Sequence, residues 1–183
     1  RIGECDVAAI ARLRVSGMLE QQQQHRLTMH PLVRAFAKEQ LDQAETQSSE
    51  ASASHARHYL AFLRERFGAM ASAGYGVVLD EIEAEATNIE RAWRHVLDHD
   101  RETAERSTEA YFYALSLRAK YAEGLALFPS DDDALGAYHA SLRANMLVQR
   151  GAAAEAEAEA RAALECAALP QIARAHALHA QGL

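Results

Sequence analysis

The stretch LRAKYAEGLALF, residues 117–128, has a counterpart in LVQRGAAAEAEAEA, residues 147–160. Pairs of matching positions lie 32 residues apart, namely Glu123 with Glu155, Gly124 with Ala156, and Ala119 with Gly151. Short periods of this kind are typical of stacked helix pairs, in which small residues let two antiparallel helices pack closely. The sequence therefore predicts that residues 101–183 form stacked pairs of helices.

The second of these pairs gives the clearer pattern. Gly151 is placed to form the turn between its two helices, and Pro170 marks its end. Small residues fall where the helices would cross, at Ala144, Ala156 and Ala163. A period near ~34 residues is typical of tetratricopeptide repeats, and QIARAHALHAQGL (171–183) would begin another unit. Because so few repeats do not form a stable array alone, we expect the sequence to be a fragment with further repeats after it.

The composition favours a nearly all-helical fold. Hydrophobic residues make up 49% of the 183 residues and charged residues 25%, with three prolines, nine glycines and many strong helix formers. Cys5 and Cys166 lie far apart without the spacing of a metal or disulfide motif, which favours idle thiols in a reducing compartment. No apolar run is long enough for a membrane span and none resembles a signal peptide, so we expect a cytoplasmic location and no membrane partner.

The charge pattern argues against a nucleic-acid partner. Residues 1–45 carry six basic and six acidic residues, and the remaining residues carry 13 basic and 20 acidic ones. Nucleic-acid binding usually requires a basic surface that offsets phosphate charge. Arg12 and Arg14 invite comparison with a DNA-recognition helix, but the neutral charge of their segment predicts a structural role instead.

The first 45 residues have the pattern helix, hairpin, helix. Val7, Ile10 and Ala11 follow helical spacing, with Asp6 placed as an N-cap and Gly17 as a left-handed C-terminal cap. The polar run EQQQQH (20–25) separates short apolar segments, and in RLTMH (26–30) apolar and polar residues alternate, which predicts a small hairpin. This order is expected for the end of a winged-helix domain. The polar stretch TQSSEASAS (46–54) is the predicted boundary after it.

The junction RLTMHPLVRAF, residues 26–36, places His30 between the strand and the next helix. Proline is favoured in the first turn of a helix, and it biases the residue before it toward extended geometry. His30 is therefore predicted to end the strand and to be the helix N-cap.

Two further helices are predicted between the boundary and the repeats. The first has the apolar stripe Ala56, Tyr59, Leu60, Leu63, Phe67 and Met70, and the glycine-containing segment 68–76 is expected to end it. The second is predicted as one continuous helix with the stripe Leu79, Ile82, Ala86, Ile89, Trp93 and Val96. Glu90 and Arg94 would form an i,i+4 ion pair on another face.

In this order, the elements resemble the signal-transduction ATPases with numerous domains (STAND proteins), in particular bacterial regulators related to NB-ARC and MalT-like proteins. The resemblance is carried by LRVSGMLEQQQQHRLTMHPLVRAFAKEQL, HARHYLAFLRE, LDEIEAEATNIERAWRHVL and YAEGLALF. It implies a mainly α chain with three parts: a winged-helix remnant with a small β-hairpin (1–45), a linking helical pair (46–100), and a truncated tetratricopeptide-like α-solenoid (101–183).

The resemblance also implies a role for His30. STAND proteins carry a Met-His-Asp motif whose histidine contacts the phosphate of bound ADP and holds the closed state. Met29 and His30 match its first two positions, whereas Pro31 departs from the third. A helix N-terminus favours phosphate through its free N–H groups and dipole. The alternative, in which His30 only caps its helix, stays open.

The implied cofactors are ADP and ATP in the parent protein, with neither bound by this segment alone. GxxxxGK[ST], GxGxxG and GxSxG are absent from the 183 residues, so no catalytic residue is assigned to this segment. Its implied partners are an upstream nucleotide-binding domain of the same chain and a protein or small-molecule signal on the repeats. Transcriptional regulation is the preferred output.

Three tyrosines and several histidine pairs are further candidates for a functional site. Tyr111, Phe112, Tyr113 and Tyr121 cluster near two cations, and most of this cluster is expected to be core. One or two of the tyrosines Tyr111, Tyr113 and Tyr121 are candidates for a partner-binding face. Histidine pairs at helical spacing (His55 and His58, His95 and His99, His176 and His179) lack the added acid or cysteine of a metal motif, so no metal site is assigned. An alternative function is protein interaction without nucleotide chemistry. In that case the winged helix and the repeats would form a stand-alone scaffold or a peptide receptor.

Overall fold

The computed structural model describes residues 7–21, 27–130 and 133–182, which form ten helices and a two-stranded hairpin. The hairpin pairs β1 (Leu19–Gln21) with antiparallel β2 (Leu27–Met29). The helices are α1 (Val7–Val15), α2 (Pro31–Asp42), α3 (Glu45–Met70), α4 (Tyr75–Ala84), α5 (Ala86–His99), α6 (Arg101–Leu117), α7 (Tyr121–Leu127), α8 (Ala134–Gln149), α9 (Ala153–Glu165) and α10 (Gln171–Ala180). The prediction of a mainly helical chain with one small hairpin is confirmed.

Helix α1 ends as its sequence predicts. Gly17 has a φ of 71°, which glycine adopts at little cost, and the amide of Met18 donates to the carbonyl of Leu13 at 2.9 Å. This reversal turns the chain directly into β1. The predicted N-cap Asp6 and the hairpin loop at 22–26 lie outside the described residues.

The polar stretch 46–54, which the sequence predicts as a domain boundary, is helical and forms the first two turns and more of α3. This segment contains adequate helix formers, namely Gln47, Glu50, Ala51 and Ala53. Each serine between them reduces helix stability by only about 0.5 kcal/mol relative to alanine. The rest of α3 supplies a buried stripe of Ala56, Leu60, Leu63 and Met70 that holds the whole helix in place. Tertiary packing thus overrides the low local propensity of this segment.

The helix predicted through Leu79 to Val96 is divided in two. Glu85 has φ −108° and ψ 9°, so it separates α4 from α5. The apolar stripe continues across this break, with Leu79, Ile82, Ile89, Trp93 and Val96 all buried. The spacing therefore identified the buried face correctly and missed the bend. On the exposed side, Arg94 and Glu90 form the predicted ion pair at 2.9 Å.

The core lies between α3, α5, α6 and the helices that follow. Trp93 is fully buried, and its Nε1–H donates to the carbonyl of Leu127 at 2.7 Å. The rings of Tyr111 and Phe128 each lie 5.4 Å from the Trp93 ring in edge-on contacts. One side chain therefore joins the linking helices to the α6–α7 pair.

Two helix pairs repeat with the predicted offset. The amide of Lys120 donates to the carbonyl of Leu115, and the amide of Ala152 donates to the carbonyl of Leu147, both at 2.9 Å. Each bond closes the turn between its two helices, α6–α7 and α8–α9. The predicted small residues at the crossings, Ala144, Ala156 and Ala163, are all buried.

Across residues 7–21, 27–130 and 133–182, no helix combines the length and apolar character that a membrane crossing requires.

Candidate functional site around His30 and the repeat helices

His30 occupies the helix N-cap that the sequence predicts. Its backbone is extended (φ −53°, ψ 137°), Pro31 is the first residue of α2, and the imidazole Nδ1 accepts a hydrogen bond from the amide of Leu32 at 3.3 Å. Because Nδ1 is the acceptor, the proton of the neutral ring lies on Nε2. The residue is exposed, so Nε2 is open to a ligand or a neighbouring surface.

An apolar groove lies beside this cap. It has a volume of about 660 Å³, and α1, β2 and α2 contribute to its lining, which includes Leu13, Met18, Met29, Leu32, Val33, Phe36 and Leu41. Leu32 is 75% exposed and Phe36 is 62% exposed. Water therefore contacts a contiguous apolar surface on the first helices of the chain, which is unusual for a self-contained unit.

The segment that contains the groove has no buried core of its own. Among the described side chains from Val7 to His55, none is buried, and the first buried residue is Ala56. A unit this small buries little surface and is marginally stable alone, so the exposed groove is a candidate contact surface. The groove and His30 lie on the same helix, so a body that covered the groove would also lie near the imidazole.

The three tyrosines predicted as partner contacts occupy different environments. Tyr111 is buried against Trp93 and Phe128, and burial raises the pKa of its hydroxyl well above the ordinary value. Tyr121 is half-buried against the same core. Tyr113 is 39% exposed, and its ring lies 5.5 Å from that of Phe67 on α3. Of the three, Tyr113 offers the largest surface to a partner; contact with a partner stays a prediction.

A polar network that the sequence does not predict joins helices α6, α8 and α10. Glu109 on α6 accepts hydrogen bonds from the hydroxyl of Tyr138 on α8 and from Nε2 of His176 on α10, the latter at 2.9 Å. Burial alone would raise the pKa of Glu109, but the bonds from His176 and Tyr138 outweigh it and leave this pKa below its ordinary value. The three residues are 29 to 67 positions apart in sequence, so no local sequence motif predicts this network.

The histidine pairs are held by ordinary contacts. Nε2 of His55 lies 3.4 Å from the side-chain oxygen of Asn88, and the rings of His95 and His99 stack at 4.6 Å. Within the part of the chain that the structure describes, no three histidine, cysteine or acidic side chains converge as metal ligands would. Cys166 is a free, half-buried thiol, and Cys5 lies outside the described residues.

Comparisons with protein families, with characterised proteins and with solved structures give no significant match for this chain.

Proposed function

We propose that this chain is the sensor and regulatory segment of a nucleotide-switched signal-transduction ATPase. In this proposal, residues 1–45 are the end of a winged-helix domain, and His30 contacts the phosphate of ADP bound to an upstream nucleotide-binding domain. The helix pairs from Arg101 onward begin a tetratricopeptide-like solenoid that receives a protein or small-molecule signal. Transcriptional regulation is the output we favour.

The observation that carries the proposal is the joint position of His30 and the apolar groove. An exposed imidazole at a helix N-terminus is suited to an anion, because its Nε2–H is a donor and the helix dipole is positive there. Pro31 has no N–H, and the amides of Leu32 and Arg34 already donate to His30. The groove beside it lacks a covering body, and Leu32 next to the cap is 75% exposed. Docking of a nucleotide domain onto the groove would bring a phosphate within reach of His30.

The mechanism follows from differential binding. A nucleotide shifts the equilibrium between docked and open states only by binding one state better than the other. ADP would stabilise the docked state through His30, and a signal that binds the repeats of the open state would oppose it. Exchange of ADP for ATP would then favour the open, assembling form.

The repeated turn geometry supports the solenoid part of the proposal. Equivalent turn bonds recur 32 residues apart, and Gly124 lies at the position that Ala156 occupies in the next pair. At Gly124 an added methyl group would meet the thioether end of Met146, a flexible side-chain end that can shift, so glycine eases the packing of α7 on α8 without being required for it.

A second candidate function is a protein-interaction scaffold without nucleotide chemistry. The observation that favours it is the hydrogen bond from the Leu32 amide to His30 Nδ1, which a purely structural N-cap would also make. In this alternative the groove and the exposed ring of Tyr113 would both be protein contacts.

Hydrogen exchange on the full-length protein separates the two functions. With ADP bound, the amides of residues 27–42 should exchange more slowly than with ATP, because docking covers the groove. Phe36→Ser should abolish that difference, while the solvent-exposed Tyr75→Ser on α4 serves as a control that retains it. Equal exchange with ADP, with ATP and without nucleotide would favour the scaffold.

A further inference from the structure

A second cavity lies where the end of α2 approaches α3 and α5. Its volume is about 270 Å³, and it is lined by Leu41, Ala51, Ser52, His55, Arg91 and His95. A liquid water occupies about 30 Å³, so this space can hold a tetrahedral anion together with part of a substituent. Its described side chains contribute one guanidinium, two imidazoles and a hydroxyl, and none of these described side chains is a carboxylate.

Arg91 is the fixed positive charge of this cavity. It is exposed and makes no ion pair with any side chain that the structure describes, whereas Arg94 on the same helix is paired with Glu90. A guanidinium presents its donors in a planar fork that matches two oxygens of a phosphate. The side chain is therefore free to bind an anion in the cavity.

His55 is oriented by its neighbours. The amide nitrogen of Asn88 donates to Glu85 at 2.7 Å, which places the Asn88 oxygen toward His55 Nε2 at 3.4 Å. An amide oxygen only accepts, so His55 carries its proton on Nε2 and leaves Nδ1 as the nitrogen that can gain a proton.

His95 is the second imidazole of the lining. It stacks on His99 with the ring planes 8° apart, and Nδ1 of His99 donates to the His95 carbonyl at 3.0 Å. The stack fixes the position of the His95 ring at the cavity wall, where its ring nitrogens are potential donors.

We propose that this cavity binds a phosphate group, with Arg91 as its fixed charge and His55, His95 and the Ser52 hydroxyl as further donors. The site is separate from His30 and does not depend on the function proposed above. Leu41 and Ala51 form an apolar wall that suits the substituent of a phosphate monoester. Free inorganic phosphate has the same anionic chemistry, and the test distinguishes the two.

The electrostatics of the two imidazoles agree with this assignment. Burial, followed by the positive charges of Arg91, His58 and His95, lowers the pKa of His55 despite the hydrogen bond that its Nε2–H donates to Asn88. Burial and His99 lower the pKa of His95, against the opposing effect of Asp98 and Asp100. Both rings are therefore mostly neutral near pH 7 without an anion, and a bound phosphate would favour their charged forms. Phosphate should consequently bind more tightly at lower pH.

The test is a titration of the 183-residue chain with inorganic phosphate and, separately, with phenyl phosphate, followed by the NMR signals of the histidine rings. We expect the signals of His55 and His95 to move toward their protonated positions, while those of the exposed His179 stay unchanged. Arg91→Gln should weaken binding about tenfold or more. Its matched control, Arg94→Gln on the same helix, should leave the affinity unchanged.

The two ligand sources give different orders of affinity. Tighter binding of phenyl phosphate supports a phosphate monoester, and tighter binding of inorganic phosphate supports the free anion. The proposal is overturned if neither compound shifts the His55 and His95 signals at about pH 6, or if Arg91→Gln and Arg94→Gln bind both compounds equally well.

Discussion

Ala119 and Gly151 occupy the same turn in two successive helix pairs, and both have a left-handed backbone, with φ of 53° and 76°. Glycine adopts this conformation at little cost, whereas alanine is destabilised by about 1–2 kcal/mol because its Cβ comes too close to the backbone. Ala119 is the sole non-glycine residue with positive φ among those the structure describes. The turn at Ala119 therefore has the same left-handed geometry as the turn at Gly151, although the alanine side chain disfavours it.

Replacing Ala119 with glycine should stabilise the protein. The substitution relieves the left-handed strain, although it also adds freedom to the unfolded chain, so we expect a net gain of about 0.5–1 kcal/mol in the free energy of unfolding. Urea denaturation measures this quantity. The control is Ala158→Gly, at an exposed position in the middle of α9, which should lose about 1 kcal/mol. Destabilisation by Ala119→Gly would show that the turn is not strained.

The free energy of unfolding should decrease as the pH is lowered, because the unfolded chain gains a proton at His139 that the folded chain does not. His139 is 1% exposed, its Nδ1–H donates to the carbonyl of Pro129 at 3.0 Å, and its Nε2 is buried without a partner. Burial lowers the pKa of His139 to about 4, against 6.5 for a free side chain. Between these values the unfolded chain binds a proton that the folded chain does not, so stability is fully present above about pH 6.5 and is lost toward pH 4.

The loss assigned to His139 is about 3 kcal/mol over this range. It is measured as the urea-derived free energy of unfolding at several pH values. His55 and His95 have lowered pKa values as well and add a loss of the same sign. His139→Leu should make the profile distinctly flatter, and an identical slope in this variant would refute the assignment.

The Glu109 network should contribute to the packing of α6, α8 and α10. Glu109→Gln keeps the shape but removes the charge that accepts from Tyr138 and His176, so we expect a loss of about 1–2 kcal/mol in the free energy of unfolding. Thermal or urea unfolding measures this loss. The matched control is Glu102→Gln on the same helix, whose carboxylate is 75% exposed and pairs with Arg106 at the surface. The Glu102→Gln substitution should lower the free energy of unfolding by less than about 0.5 kcal/mol. Equal losses in Glu102→Gln and Glu109→Gln would mean that the network does not stabilise the fold.

Local patterns predicted the helices, the hairpin and the caps because the interactions that form them lie within a few residues. Gly17, His30 and Gly151 all occupy the positions that their sequence context indicates. The segment 46–54 and the bend at Glu85 were not predicted, since both depend on how α3 and α5 pack against each other. The Glu109 network and the His55–Arg91–His95 cavity join residues from different helices, and no spacing rule in one sequence brings such residues together.

The central claim is that His30 senses bound ADP, and the most direct measurement is the ADP dissociation constant of the full-length protein with His30→Ala. Removing the imidazole should weaken ADP binding about tenfold, the usual effect of losing one hydrogen bond to a charged group, and should raise basal output. His179→Ala, at an exposed position on α10, is the control and should bind ADP like the unmodified protein. Unchanged ADP affinity in His30→Ala would contradict the claim and leave His30 as the N-cap of α2.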